Sequence, residues 1–433
     1  MTPSKQWPSR SKRAPEHRVT PTIQSGRAAL LTTTSSSHGK SPATPSARRS
    51  GEPFCRWGGR TKGRGDIQLG LPLGWPHRAN HATLRVDCDT SGAAEVAIEA
   101  RAPLPPRGSG TLTDLSHLDD LIAKYLPRAS TRPLPQTAIP KLAKDSAAVR
   151  AVERALKEVP THHELRLGDA RDMSLIEDES VHLVITSPPY WTLKTYPATE
   201  AQLGRVAEYD AFLKELHKVW RECFRVLVAG GRMIVVVGDV CLSRRKHGAH
   251  MVVPLHAAIQ EDCRHIGFHN LAPIIWHKIA NAAFEVENGT AFLGKPYEPN
   301  AVIKNDIEFI LMQRKPGGYR QPTDAVRLLS MIGEKRHRLW FNQIVRLHGA
   351  STRRHPAPYP VELAERLIRM FSFVADRVLD PFSGMATTSV AAARWGRNSV
   401  GAEVEPSYHR LAVQRLAEAI REESLPASVN SVP

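Results

Sequence analysis

Cysteine is scarce in this chain, and its spacing excludes two classes of protein. Five cysteines occur in 433 residues, and no two of them form a Cys-x-x-Cys pair. This pattern excludes a disulfide-stapled scaffold and a metal site built on paired thiolates, and it predicts reduced thiols. Long apolar runs are also missing, since no stretch approaches the roughly 18 apolar residues of a membrane-spanning helix. We therefore expect a soluble, cytoplasmic protein with no membrane partner and no metal.

Acidic residues are sparse in the first 110 positions, where 17 Lys or Arg stand against 7 Asp or Glu. The segment thus holds +10 of the formal charge of +16, and it is rich in Ser, Thr, Pro and Gly without a hydrophobic period. Such a composition cannot bury enough apolar surface to fold, so we predict that residues 1–110 are a disordered basic extension. Three interpretations stay open: an arm that contacts DNA phosphates, an organellar targeting peptide, and an extension under little constraint.

From residue 111 onward the hydrophobic residues become periodic. Residues 111–160 predict a helical segment, and from residue 161 to the end short apolar strands alternate with amphipathic helices. Strands are expected at 163–168, 181–186, 232–238, 271–277, 306–313, 376–380 and 398–404. Helices are expected near 113–126, 145–158, 208–228, 251–266, 360–372, 386–396 and 407–421. This alternation predicts an α/β fold in which helices cover both faces of a mostly parallel, seven-stranded sheet.

The tetrapeptide Ser187-Pro188-Pro189-Tyr190 follows the apolar stretch 181–186. Two prolines remove two backbone donors, which costs nothing where a strand has already ended, and they fix the direction of the neighbouring carbonyls. Ligands of open α/β sheets bind at the carboxyl ends of the strands. The tetrapeptide therefore predicts a rigid, aromatic-lined ligand site, and an ordinary strand-end turn is the alternative.

A second motif, "DPFSGMATT", occupies residues 380–388 between an apolar strand and an Ala-rich helix. A tight turn of small residues at a helix N-terminus is a place where a ligand can approach the backbone, although it is often turn chemistry alone. The next strand ends in Glu403, about 20 residues further on. An acid at that position is placed to accept hydrogen bonds from the ribose hydroxyls of a nucleoside cofactor.

Together, "TSPPYW", "DPFSGMATT" and "VGAEVEPSYHRLA" resemble the motifs of the S-adenosylmethionine-dependent amino-methyltransferases of DNA, which act on cytosine N4 or adenine N6. The resemblance covers about residues 160–420 and implies a Rossmann-like methyltransferase fold. The catalytic motif precedes the cofactor motif, as in the circularly permuted β group of that family. Methylation at cytosine C5 is excluded, because it needs a cysteine nucleophile and none of the five cysteines follows a proline.

The resemblance assigns catalysis to Ser187, Pro188, Pro189 and Tyr190. An exocyclic amine is a poor nucleophile because its lone pair is conjugated into the ring. The Ser187 side chain and the Pro188 carbonyl would accept the two amine hydrogens and favour the reactive pyramidal form, while Tyr190 would stack on the extruded base. Serine at the first position favours cytosine N4, and adenine N6 stays open as the alternative.

The same resemblance implies cofactor contacts from Asp169, His355, Pro358, Asp380, Pro381, Phe382, Gly384, Ala386, Thr387 and Glu403. Asp169 would approach the adenine of the cofactor, with a helix N-cap as its alternative role. His355 and Pro358 would flank the methionine end, or simply form a loop. Ala386 stands where the family has a second glycine, and its methyl group would resist a left-handed turn.

The permuted order places a target-recognition insert at about residues 279–354, which is rich in Lys and Arg. These cations would neutralise phosphates of double-stranded DNA around a flipped base, or form an ordinary solvated surface. Trp191, Lys194 and Tyr196 would close over the base or cap a hydrophobic cluster. The sequence thus predicts a site-specific DNA methyltransferase, with a restriction endonuclease as its implied partner. A nucleic-acid-binding relative that methylates weakly is the alternative of another class.

Overall fold

The computed structural model describes residues 115–129, 133–278, 305–350 and 358–432 apart from positions 195, 198 and 200, together with residue 299 and strands 82–88 and 94–100. The chain divides into two units, residues 1–103 and 104–433. In the first unit, strands β1 (Ala82–Cys88) and β2 (Ala94–Ala100) pair antiparallel. The prediction of a disordered extension over 1–110 did not anticipate this hairpin. Elsewhere in 1–110 the prediction concerns positions outside the described residues.

Nine strands of the described part of the second unit form one sheet, in the order β10-β8-β9-β5-β4-β11-β12-β3-β13. Their bounds are β3 Thr161–Leu167, β4 Val181–Thr186, β5 Leu227–Val237, β8 His269–His277, β9 Ile307–Arg314, β10 Ile344–Arg346, β11 Arg377–Asp380, β12 Asn398–Glu403 and β13 Ala427–Val432. Strands β6 (Val240–Leu242) and β7 (Met251–Val253) form a separate antiparallel pair.

The strand directions confirm the predicted α/β fold with a mostly parallel sheet. Strand β9 runs antiparallel to both β5 and β8, and all other neighbouring strands in this sheet are parallel. All seven predicted strands are present, but the predicted number was wrong because β10 and β13 extend the two edges. Strand β10 has three residues and β13 reads "ASVNSV". A segment so short, or so rich in Ser and Asn, lacks the apolar run that marks a strand.

Helices cover both faces of this sheet, as the alternation of strand side chains requires. The helices of the described residues are Ser116–Tyr125, Ala138–Lys144, Ser146–Leu156, Tyr209–Val226, Arg244–His247, Leu255–Ile266, Asp324–Leu329, Glu334–Trp340, Val361–Phe371, Thr387–Arg394 and Pro406–Glu422. On β4, Val184 packs into the core under helices 209–226 and 255–266. Its neighbours Leu183 and Ile185 pack on the opposite face with helix 361–371.

A further cluster joins the predicted helical segment to the body of the second unit. Helices 116–125 and 146–156 pack with helix 324–329, which lies inside the predicted insert. Two helices, 324–329 and 334–340, and strand β10 occupy the stretch 316–355, where the sequence showed no regular structure. Each is at most seven residues long, which is too short for a hydrophobic period to emerge.

The position of the functional site follows from the strand order. After β4 the chain continues through helix 209–226 to β5 on one side, and after β11 it continues through helix 387–394 to β12 on the other. The two connections diverge between neighbouring strands, and such a divergence opens a crevice at the carboxyl ends of the strands. The two sequence motifs begin at that edge, because Ser187 follows β4 and Asp380 ends β11.

Candidate active site

The two motifs meet through a hydrogen bond between the ends of adjacent strands. The Thr186 hydroxyl donates to Asp380 Oδ1 at 2.8 Å, although the two residues are 194 positions apart in the chain. The tetrapeptide 187–190 therefore starts directly beside the turn that follows β11. The sheet brings together the residues that the sequence predicted to form one site.

Asp380 joins the parts of this site rather than facing the cleft. Its carboxylate is 1% exposed and accepts hydrogen bonds from Thr186, from the Tyr359 hydroxyl at 2.9 Å, from the Thr388 hydroxyl at 2.6 Å and from the Phe382 amide at 3.1 Å. Burial raises the pKa of Asp380, while the bonds from Thr388, Thr186 and Tyr359 oppose that rise. Four donors fill its acceptor positions, so it ties two strands, a helix and Tyr359 together.

The turn after Asp380 is left-handed at two positions. Gly384 has φ +50° and Ala386 has φ +56°, and helix Thr387–Arg394 follows immediately. Only glycine adopts this conformation without steric cost, which is about 1–2 kcal/mol for an alanine. The Ala386 methyl is fully buried and packs in the cluster that contains Leu165 and Val390. The alanine at the family's second glycine therefore takes the left-handed conformation that its methyl group was expected to resist.

A cleft opens at this turn, and about 550 Å³ of space, including solvent at its mouth, lies between its walls. Its lining includes Gly168, Asp169, Ser187, Pro189, Tyr196, Gln202, Pro381, Phe382, Gly384, Glu403 and Tyr408. Polar residues at or just after the ends of β3, β4 and β12 line it together with Phe382, as in pockets that orient a ligand by a few polar contacts.

Glu403 is the buried acid of the cleft. It is 8% exposed, its Oε2 accepts from the Gly384 amide at 2.8 Å, and its Oε1 accepts from the Glu405 amide at 2.9 Å. Burial raises the pKa of Glu403 to about 7, although the two amide bonds oppose this rise. Each oxygen keeps a lone pair for a ligand hydroxyl. These free acceptor positions fit the hydroxyls of a ribose.

Asp169 lies on the other side of the cleft and is held by Arg171. The Arg171 Nε donates to Asp169 Oδ2 at 2.9 Å, and the Arg171 amide donates to Oδ1 at 2.9 Å. Arg171 also forms an ion pair with Glu215. The Asp169 side chain is 28% exposed, so the arginine fixes its direction while leaving it accessible.

Four described residues after the tetrapeptide line the cleft, namely Tyr196, Ala201, Gln202 and Leu203. Trp191 has φ +46°, and its indole Nε1 donates to the Val206 carbonyl at 3.0 Å. Trp191 thereby joins a hydrophobic cluster, whereas Lys194 is exposed and Tyr196 lines the cleft. Gly204 gives the Tyr196 ring its place, since a Cβ on Gly204 would lie 2.8 Å from Tyr196 Cε2.

Comparison with known proteins identifies the family. The family described as DNA methylase matches residues 181–414, which include both motifs and most of the sheet. The chain belongs to this DNA methylase family. Its relatives include the Type II methyltransferases M.MjaI of Methanocaldococcus jannaschii, 36% identical over 58% of this chain and 89% of the relative, and M.MthZI of Methanothermobacter thermautotrophicus, 32% identical over 60% and 78%.

A solved structure supports the same family assignment. TTHA0409 of Thermus thermophilus, a putative DNA modification methylase in complex with S-adenosyl-L-methionine, is 48% identical to this methylase. The match covers 62% of this chain and 98% of TTHA0409, with a TM-score of 0.52. The TTHA0409 structure contains bound S-adenosyl-L-methionine, which is the cofactor of this methylase family.

Several residues that the sequence assigned to the cofactor do not line the cleft of this methylase. Ala386 and Thr387 are buried behind the turn, where the Thr387 hydroxyl accepts from Arg415 Nη1 at 3.1 Å. Pro358 precedes Tyr359, which binds Asp380 instead of facing the cleft. His355 lies outside the described residues.

The tyrosine of the tetrapeptide, Tyr190, is buried in a hydrophobic core cluster of the methylase. Tyr190 is 6% exposed, and its hydroxyl lies 3.3 Å from Ser187 Oγ and 3.2 Å from Glu308 Oε2. Sequence reasoning missed Glu308, which lies near the start of β9 and binds Lys278 Nζ at 2.5 Å. The only signal in the sequence is an acid inside the apolar run "IEFILM".

The basic residues of the predicted insert divide between the two ends of the sheet. Arg320 binds Asp376 at 2.6 Å, directly before β11, at the end opposite to the active site. Lys278 follows β8 at the active-site end, and the exposed Arg346 of β10 pairs in register with His277 there. Positions 279–298 and 351–357 lie outside the described residues. Among the described residues, no group of three or more His, Cys, Asp or Glu is arranged to hold a metal, and no helix could cross a membrane.

Proposed function

We propose that this DNA methylase transfers the methyl group of S-adenosyl-L-methionine to the exocyclic N4 amine of cytosine in double-stranded DNA. The observation that carries the choice of base is the serine at position 187, which lines the cleft directly after β4. In the resembling family, serine at this position is associated with cytosine N4. Adenine N6 is the alternative, because a serine hydroxyl accepts a hydrogen bond from either amine.

The residues of the cleft fit the proposed cofactor. Glu403 would accept hydrogen bonds from the two ribose hydroxyls, because each of its oxygens keeps a lone pair. Asp169 would accept from the adenine amine, and Phe382 would cover the adenine ring. The bound cofactor supplies an electrophilic methyl group on a sulfonium centre, so that a nitrogen–methyl bond forms as the sulfur–methyl bond breaks.

The tetrapeptide would position the target amine. Ser187 Oγ and the Pro188 carbonyl would each accept one amine hydrogen, which directs the nitrogen lone pair into the cleft. The base must leave the helix to reach this point, at a cost of a few kcal/mol. The ring of Tyr190 would form the floor under the base. Positioning in a closed site would supply most of the rate, since no covalent enzyme intermediate is needed.

The wider role that we propose is protection of DNA against a cognate restriction endonuclease at one target sequence. The support is the similarity to Type II methyltransferases. We also propose that segments of 279–354 at the active-site end contact DNA and that the first 110 residues are dispensable for methyl transfer.

The test is transfer of label from S-adenosyl-L-methionine to mixed-sequence duplex DNA, followed by digestion to nucleosides and chromatography. Label in N4-methylcytosine, lost in Ser187→Ala, would support the proposal. Label in N6-methyladenine would refute the choice of base and keep the family activity. No label from protein that binds DNA would favour a nucleic-acid-binding relative without methyl transfer.

A further inference from the structure

A buried acid stands behind the catalytic serine. Ser187 Oγ donates to the Tyr190 hydroxyl at 3.3 Å, and the Tyr190 hydroxyl donates to Glu308 Oε2 at 3.2 Å. The other oxygen of Glu308 accepts from Lys278 Nζ at 2.5 Å. The three bonds form a continuous line from the cleft to a lysine whose side chain is 33% exposed.

The burial of Glu308 needs an explanation, because an acid in a strand interior is costly unless it is paired. Glu308 is 8% exposed, and the four residues that follow it in β9 are apolar. The Lys278 ammonium group donates to one oxygen of Glu308, and the Tyr190 hydroxyl donates to the other. Stability alone would be served as well by an apolar residue at this position.

The backbone leaves room for this pair. A Cβ on Gly238, one residue beyond β5, would lie 3.2 Å from Glu308 Cγ and 3.5 Å from Tyr190 Cε2. The first distance is tighter than ordinary contacts between carbon atoms. The missing side chain at position 238 therefore lets Glu308 and Tyr190 approach each other behind the cleft.

We propose that Glu308 is the final acceptor of the proton that the target amine loses on methylation, with Ser187 and Tyr190 as the route. This inference rests on the proposed function. The methylated nitrogen carries one proton in excess. That proton passes to Ser187 Oγ, the serine proton passes to the Tyr190 oxygen, and the tyrosine proton passes to Glu308 Oε2. One N–H bond breaks, one O–H bond forms on Glu308, and both hydroxyls end with one proton each.

The direction of the hydrogen bonds suits this transfer, since both hydroxyls already donate towards Glu308. Burial and the charge of Glu308 raise the pKa of Tyr190 far above its ordinary value. The tyrosine therefore remains protonated at neutral pH and can pass a proton on as it receives one. Lys278 Nζ donates to the other oxygen of Glu308, so it lies at the end of this line that is nearer to solvent.

Two variants separate this role from packing. Glu308→Gln keeps the shape but cannot accept the proton, and Tyr190→Phe keeps the ring but removes the hydroxyl. We expect each to lower the single-turnover rate at saturating DNA and cofactor by about 100-fold or more. Dissociation constants for DNA and cofactor and the thermal midpoint should stay close to those of the wild type. Glu261→Gln, an exposed glutamate on helix 255–266, is the matched control and should behave as wild type.

The solvent deuterium isotope effect on the single-turnover rate gives the readout that a structural role would not change. The groups bonded to Glu308 in the described structure are Tyr190 and Lys278. Proton movement along Ser187 and Tyr190 to Glu308 should slow the wild type in D2O, and Glu308→Gln should lose this isotope effect because its amide cannot accept the proton. The double variant should be no slower than either single variant, since both remove one route.

The outcomes distinguish a failure of the proton route from a failure of the proposed methyl-transfer function. Active wild type with an unchanged rate and an unchanged solvent isotope effect in Glu308→Gln would overturn the proton route and leave the proposed function in place. Additive losses in the double variant would also overturn it. If the wild type transfers no methyl group to any DNA, the proposed function fails and the proton route fails with it.

Discussion

The ionisation of Glu403 should make cofactor binding depend on pH. The ionised carboxylate offers one lone pair on each oxygen to a ribose hydroxyl, whereas the protonated form carries a hydrogen on one oxygen. Burial raises the pKa of Glu403 to about 7 in the free protein. Protonation of Glu403 must therefore compete with cofactor binding to the ionised form near neutral pH.

The size of the effect follows from that pKa. At pH 8.5 almost all Glu403 is ionised, and at pH 5.5 only about 3% is ionised for a pKa of about 7. The apparent dissociation constant rises by the inverse of the competent fraction, which is about 30-fold over this range. Each pH unit well below 7 should weaken binding about tenfold.

Isothermal titration of the protein with S-adenosyl-L-methionine from pH 5.5 to 8.5 measures this dependence. Binding heats measured in two buffers of different ionisation enthalpy give the number of protons exchanged on binding. Cofactor binding should exchange no proton at pH 8.5 and should release about one proton from Glu403 at pH 5.5. Glu403→Gln should bind weakly with a flat profile. An affinity of the wild type that does not change with pH, or an unchanged slope in Glu403→Gln, would refute this role of Glu403.

The raised pKa of Glu403 also predicts that the stability of the free protein depends on pH. The stability should fall as the pH rises, which is opposite to the effect of a salt-bridged acid. The folded-state pKa is about 7 and the ordinary value is about 4.3, so the folded state holds the proton more tightly. The stabilisation is complete below the unfolded pKa and is lost as pH rises through 7, with an upper limit of about 4 kcal/mol. Urea unfolding of wild type and Glu403→Gln between pH 4.5 and 8 measures the difference.

Three further predictions concern residues that support the site or lie in the core around it. Thr186→Val removes one bond to the buried carboxylate that ends β11 and should lower the free energy of unfolding by about 2 kcal/mol in urea titrations. Gly204→Ala places a Cβ against the Tyr196 ring, so it should displace that ring from the cleft and weaken cofactor binding about tenfold in calorimetry, with little change in thermal stability. Burial raises the pKa of the Cys223 and Cys263 thiols, so neither should react with a chromogenic disulfide at pH 8 until the protein unfolds.

The central part of the fold was predictable because its strands are apolar and its helices are periodic. Strand β4 was predicted with the bounds that the structure shows, and β11 and β12 were predicted to within one residue at each end. The hairpin β1–β2 was missed because the Ser-, Pro- and Arg-rich composition around it dominated the interpretation of the segment. Helix 324–329 was missed because its burial depends on contacts with helices 116–125 and 146–156, which are distant in sequence.

The site was predictable only where it depends on strand ends. Ser187, Asp169 and Glu403 follow or end strands, and parallel strands place their carboxyl ends at one edge. The burial of Asp380 was not predictable, since its donors Thr186, Tyr359 and Thr388 come from three separate segments. Nor was the contact of Tyr190 with Glu308, which depends on β9 lying antiparallel beside β5. Local motifs indicate which residues form the cleft, and tertiary pairing decides which of them face it.

The most direct test of the central claim is nucleoside mass spectrometry of DNA from a host that has no amino-methylated bases of its own. Expression of the full chain should produce N4-methylcytosine at one sequence context, and Ser187→Ala should abolish it at equal protein level. N6-methyladenine would contradict the assignment of the base. The absence of any methylated base, with the purified protein folded and bound to cofactor, would contradict the assignment of the reaction.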